Sequence, residues 1–215
     1  MRLALSLSDT PHRLDRAFTV LFWLFVGTIA FSIAGTLLLK VFPSTMNIFG
    51  AFYPTLVKSP TWTYMTLMPL LSLLIYTPTH RASLLGFFFI WGALVGGMSE
   101  LMGTSTGLPF GEYLYTDWFG PKILDHVPYF IPASWFAMAL LSHDLASRFT
   151  SRRWGRILTT ALLMVLWDVS LDPAMNRAFP FWTYPEGGFF FGMPAINWFG
   201  WFVVSAVIAW GFEVI

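Results

Sequence analysis

The chain has 215 residues, of which 56% are hydrophobic, 19% aromatic and only 11% charged, with a formal net charge of +1. A soluble domain carries about a quarter charged residues, so an ordinary soluble domain is excluded, and near-neutrality without a basic run excludes a nucleic-acid footprint. Zero cysteines exclude disulfides, iron–sulfur ligation and thiol catalysis, and the four scattered histidines, His12, His80, His126 and His143, cannot build a histidine-rich di-iron or bis-histidine haem centre.

Apolar windows recur along the whole length, which predicts one all-α, polytopic transmembrane helical bundle over 1–215 with no soluble domain appended. The first window, Ala17 to Leu39, holds no charge and is long enough to cross a bilayer of about 30 Å. It exceeds the apolar core of about 7–15 residues in a cleaved signal peptide, so it reads as an uncleaved span. Pro43–Val57 follows as a re-entrant or interfacial segment. Further windows fall at about Thr61–Thr77, Ser83–Met102, Val127–Ser142, Ile157–Leu171 and Met193–Phe212. The expectation is about six spans, or seven if 43–57 inserts.

With the N-terminus inside, the cytoplasmic segments hold Arg2, Arg13, Arg16, Arg81, Arg148, Arg152, Arg153 and Arg156, against Lys40, Lys58, Lys122 and Arg177 on the other side. This asymmetry obeys the positive-inside rule. It predicts an integral protein of a bacterial inner membrane with both termini cytoplasmic and the two long loops, about 103–126 and 172–192, emerging together on the opposite side.

Asp168 and Asp172 stand one helical turn apart in an otherwise membrane-like run, Leu163 to Pro173. A charged aspartate in hydrocarbon costs several kcal/mol, so a chain that keeps two there uses them or lets them line a wet cavity. Glu100 ends a ladder of Gly92, Gly96 and Glu100 on one helix face, and Asn197, Trp201 and Ser205 repeat the spacing on the last span. All four polar residues lie near span ends feeding the same two loops, so their polar atoms are expected to converge. Blander readings stand beside this one. Glu100 is solvated at the interface; Asp172 merely ends its helix before Pro173; the glycines serve packing; Trp167, Trp182, Trp198 and Trp201 form an interfacial belt.

The segments Gly103–Thr116 and Phe181–Pro194 are rich in glycine and aromatics and read as ordered apolar lids. Here the chain resembles the membrane-integral carotenoid biosynthesis proteins whose characterised members are carotenoid 1′,2′-hydratases. The resemblance rests first on Glu100, Gly103, Thr104, Thr106, Gly107, Phe110, Gly111, Tyr113 and Tyr115. It continues through Gly120-Pro121, Val127-Pro128, Ile131-Pro132 and Trp135, and resumes at Asp168, Leu171, Asp172, Pro173, Met175 and Trp182. Gly187, Phe191, Gly192, Pro194, Asn197, Gly200 and Trp201 complete it, so the motif-bearing part is 98–201; the first 80 residues carry no comparable motif. The resemblance implies addition of water, without a cofactor, to the terminal double bond of an acyclic carotenoid ψ-end: that of lycopene or γ-carotene, or a bacterioruberin precursor. It places no catalytic role on individual residues, and the neutral charge balance weighs against a halophilic source.

The residues suit that chemistry on their own terms. Hydrating a trisubstituted alkene needs an acid to protonate C2′, surroundings that tolerate a tertiary cation at C1′, and a base for the attacking water. Two carboxyls one turn apart in a poorly solvated site cannot both ionise easily, so the pair offers an acid and a base together. Asp168, a turn deeper, is the expected acid, with Asp172 or Glu100 as base. Tyr113, Tyr115, Trp135, Trp167, Trp182, Asn197 and Trp201 are the expected substrate-binding residues, their aromatic faces able to stabilise a cation. No metal and no cofactor is expected; the partners are the carotenoid, water and membrane lipid. Competing readings are a magnesium-dependent intramembrane prenyltransferase built on the Asp168/Asp172 pair, a proton-coupled transporter, and a pigment-binding protein.

Overall fold

The computed structural model describes residues 12–214, and of 12–15, 177 and 178 only the backbone. Arg2, counted above among the cytoplasmic cations, lies outside the described residues. Six long helices make up the fold: α1 (His12–Val41), α3 (Tyr53–Tyr76), α4 (Ala82–Thr106), α5 (Ile131–Phe149), α6 (Arg153–Pro173) and α7 (Ile196–Val214), with a short α2 (Thr45–Phe49) between the first two. Four of them have stretches long and apolar enough to cross a membrane: Arg16–Val41, Ala82–Thr106, Arg153–Asn176 and Ile196–Val214. The protein is an all-α, membrane-type helical protein.

The two long helices outside that set differ from it for physical reasons. α3 contains Pro60 and Pro69 and carries Lys58. α5 packs against α3, α4, α6 and α7 at once. With protein on most of its surface, it need not be apolar throughout, and it buries Ser134, Ser142, His143 and Asp144. α1, by contrast, packs on α3 and keeps its apolar residues exposed, as a helix facing lipid does.

Several boundaries move from those expected. The segment 43–57 forms α2 and a 3₁₀ turn (Gly50–Phe52) that run straight into α3, which starts at Tyr53. Val127 and Pro128 pair as a strand, and α5 begins at Ile131, with a proline in its first turn, where no N–H is needed. α4 extends to Thr106 and stops at Gly107, whose φ of +79° a Cβ-bearing residue adopts only with strain. α6 runs through Pro173 into a π turn (Ala174–Ala178). Asp172 therefore sits inside a helical run and is not its terminator. The two long loops become 107–130 and 179–195.

Small two-residue strands order these loops. β1 (Leu114–Tyr115) pairs antiparallel with β4 (Trp182–Thr183), and β2 (Lys122–Ile123) with β3 (Val127–Pro128). The glycine ladder of α4 does pack: a Cβ on Gly92 would lie 2.9 Å from the Cα of Phe136, and one on Gly96 would collide with Trp135. This close α4–α5 contact carries Glu100, one turn further on, inward.

At the end of the bundle away from the loops lies a second polar group. Glu213 of α7 accepts two hydrogen bonds from the Arg156 guanidinium of α6 and lies 2.7 Å from His143 Nε2 of α5. Beside it, Arg148 donates to Asp144 at 2.9 Å. Arg156, Thr160, Met164, Asp168 and Asp172 recur every four residues, so one stripe of α6 joins the two polar ends, about 18 Å apart from Arg156 to Asp168 by helical rise.

Candidate active site

Glu100, Asp168, Asp172 and Asn197 are all buried. The Glu100 side chain accepts three hydrogen bonds: from Tyr113 Oη and Tyr115 Oη (2.8 Å) on Oε2, and from Trp135 Nε1 (2.8 Å) on Oε1. Asp172 Oδ1 accepts two, from Trp182 Nε1 and Tyr184 Oη, each at 2.7 Å. Its Oδ2 is buried and has no partner among the described residues. Asp168 accepts one, from Asn197 Nδ2 at 2.8 Å, and that amide nitrogen also lies 2.8 Å from Met193 Sδ.

The strand pair explains how loop residues reach helix carboxyls. In the β1/β4 register Tyr115 faces Trp182. Side chains alternate along a strand, so Tyr113 and Tyr115 project from one face of β1, and Trp182 and Tyr184 from the matching face of β4. Ring centroids across the pair lie 6.2 Å apart for Tyr115 and Trp182 and 6.3 Å apart for Tyr113 and Tyr184. Four aromatics thus form a platform over the helix ends, two donating to Glu100 and two to Asp172. Beneath it Trp135 stacks on Trp201 at 4.3 Å.

Burial, followed by the facing carboxyls, pushes the phenols of Tyr113, Tyr115 and Tyr184 well above their ordinary range, so they remain O–H donors. For Tyr184 the contributing carboxyls are Asp172, Asp168 and Glu100 together, which marks it as the residue they share. Among the described residues no lysine, arginine or histidine acts on any of the three carboxyls. Nor do the described residues contain a group of three or more histidine, aspartate or glutamate side chains able to hold a metal ion.

Of the expected substrate-binding residues, Tyr113, Tyr115, Trp135, Trp182, Asn197 and Trp201 come together around the carboxyls. Trp167 does not: next to Asp168 in sequence, it points about 100° away round α6 and is 40% exposed. Tyr184 and Met193 were missed. The signal for Tyr184 was present, since its spacing of two from Trp182 repeats that of Tyr113 and Tyr115, but the pairing of the strands was not. A cleft of about 350 Å³ between α1 and α3, lined by Trp23, Gly27, Phe31, Ser59, Pro60 and Thr63 among others, includes none of these residues.

The family model for carotenoid biosynthesis proteins matches residues 61–215. The chain belongs to that family. The matched stretch of this carotenoid biosynthesis protein runs from the third turn of α3 onward and contains every residue of the cluster, leaving α1 and α2 outside it. Bisanhydrobacterioruberin hydratase of Haloarcula japonica is 35% identical over 112 residues, which make up 50% of this chain and 38% of that protein. The alignment therefore spans well under half of the relative's length. No solved structure matches the chain.

Proposed function

We propose that this carotenoid biosynthesis protein adds water, without a cofactor, across the terminal C1′,2′ double bond of an acyclic carotenoid ψ-end such as that of lycopene or γ-carotene. One observation carries the reading. Three buried carboxyls are served by neutral donors only, with no cation among the described residues to offset them, beneath and beside aromatic rings. Such surroundings disfavour anions and suit a transient positive charge.

The roles follow from the donor counts. Asp168, with one amide donor, has the least support for a negative charge and holds the proton. It protonates C2′; the π electrons form the new C–H bond and leave a tertiary cation at C1′. Water adds its oxygen to C1′ and gives up a proton to Asp172 or Glu100, both supplied with donors to carry the charge. Return of that proton to Asp168 restores the resting state, so the sum is alkene plus water to tertiary alcohol. Tyr113, Tyr115, Trp135, Trp182 and Trp201 offer faces to the cation, each worth about 0.5–2 kcal/mol when desolvated.

In this proposal 1–215 acts as one integral domain of a bacterial inner membrane, both termini cytoplasmic, with the aromatic platform on the far side and the polyene lying between helices or in lipid. The diphosphate chemistry of a prenyltransferase is less well served. Lys122 is paired with Asp117 at 3.0 Å and Lys58 sits over the Trp118 ring, and the Glu100 oxygens already receive N–H and O–H donors. Expression in a lycopene-producing host, with pigments analysed by mass in ¹⁸O-labelled water, tests the reading: the product hydroxyl is expected to carry the water label and to form without O₂. Label from O₂, or no hydroxylated pigment, overturns it.

A further inference from the structure

We propose that the same cluster is a receptor for lipophilic tertiary ammonium ions, with a long isoprenoid chain ending in a dimethylammonium group as its ligand. The inference rests on the hydration reading above for the shape of the ligand, but its charge and hydrogen-bond requirements come from the site itself. A dimethylalkylammonium places a positive nitrogen, two methyl groups and a chain where the reacting end would place its C1′ cation, two methyl groups and C2′.

Three features of the cluster select that group. Its carboxyls are met by neutral donors alone among the described residues, so no side-chain cation there competes with an ammonium ion for them. The walls are aromatic: Tyr113, Tyr115, Trp182 and Tyr184 from the loops, and the Trp135–Trp201 stack from the helices. Aromatic faces combined with carboxylates are how proteins hold methylated ammonium groups. Finally, Asp172 is fully buried and its Oδ2 has no partner among the described residues, while Oδ1 is held by Trp182 and Tyr184. A tertiary ammonium brings one N–H, able to make a charge-assisted hydrogen bond to that oxygen. A neutral hydrocarbon of the same shape brings none, and a hydroxyl brings no charge.

The test uses the full chain in nanodiscs of zwitterionic phosphatidylcholine, which does not itself concentrate cations. The probes are a C20 isoprenoid N,N-dimethylamine and its isosteric hydrocarbon with CH in place of NH⁺. Intrinsic tryptophan fluorescence reads binding, since Trp135, Trp182 and Trp201 surround the site. The amine is expected to saturate and to bind at least about 10-fold more tightly than the hydrocarbon. Asp172→Asn and, independently, Asp168→Asn should reduce that preference, whereas Glu213→Gln at the opposite end should leave it intact. Equal affinity for the two probes, or a preference that survives in both aspartate variants, overturns the proposal. If the amine preference holds but no water-labelled product forms, the hydration reading fails alone; if product forms and the preference is absent, the receptor proposal fails alone.

Discussion

The two polar ends of the bundle use the same residue types in opposite ways. Away from the loops, Glu213 and Asp144 are each answered by full cations, Arg156 and Arg148, and His143 adds a second partner to Glu213. At the loop end, Glu100, Asp168 and Asp172 are answered by phenols, indoles and an amide. A buried carboxylate bound to guanidinium is a tie: removing one partner strands the other, at a cost of about 3–5 kcal/mol. A buried carboxyl held only by neutral donors is oriented while its charge remains uncompensated, which ties nothing together efficiently and is useful for chemistry. The difference supports reading one end as a clamp and the other as the proposed site.

Substitutions at the two ends should therefore fail differently. Asp168→Asn is expected to lower turnover by at least about 10²-fold, the lower end for a general acid, with the protein still extracted and monodisperse. Near-normal pigment conversion in that variant would move the acid elsewhere. Glu213→Ala should do the reverse, removing about 3 kcal/mol of stability by depriving Arg156 and His143 of their shared carboxylate while activity per folded molecule stays near wild type, as read by thermal unfolding in detergent beside pigment assays.

Smaller effects sharpen the contrast within the loop end. Tyr115→Phe deletes one of the three donors to Glu100, and hydrogen bonds to charged groups are worth about 1.5–3 kcal/mol, so a loss of about 10-fold in turnover is expected with substrate retention little changed. Trp182→Leu keeps apolar area but removes a π face and a donor to Asp172. Its cost, between about 2- and 30-fold, should fall on the chemical step more than on binding. Trp167→Leu, beside Asp168 but turned outward, should stay within about 2-fold of wild type in the same assays, in line with a surface change.

Local signals made the helices and the carboxyls legible in the sequence. The apolar windows of α1, α4 and α7 show themselves in any hydropathy reading, and the four-residue spacing of Gly92, Gly96 and Glu100 names the face that packs on α5. Asp168 and Asp172 stood out because charge in hydrocarbon is costly. Long-range pairing was invisible. Nothing in Thr183 or Leu114 announces that they are cross-strand partners, so the sequence points to a lid built from the two loops but not to the strand pairing inside it, nor to Tyr184. Pro173 misled in the other direction, because local geometry disfavours a helix before proline while the π turn at 174–178 carries the chain past it. Trp167 was grouped with the site by sequence proximity, which on a helix is no guide to direction.

The pairing of β1 with β4 involves only two residues on each side, yet it gives the loops an arithmetic. Adding or removing a residue in 116–130 or 185–195 changes the length of a connection. A single insertion within 113–115 or 182–184 changes parity: every side chain beyond it turns to the other face. The phenols would then point away from Glu100, or the indole and phenol away from Asp172, with composition, hydropathy and helices all unaltered. Outside the β2/β3 pair and the Phe190–Met193 bridge, variation in these loops alters length alone, whereas within the β1/β4 segments it alters parity, and two short strands hold the helix-borne carboxyls in register with their donors.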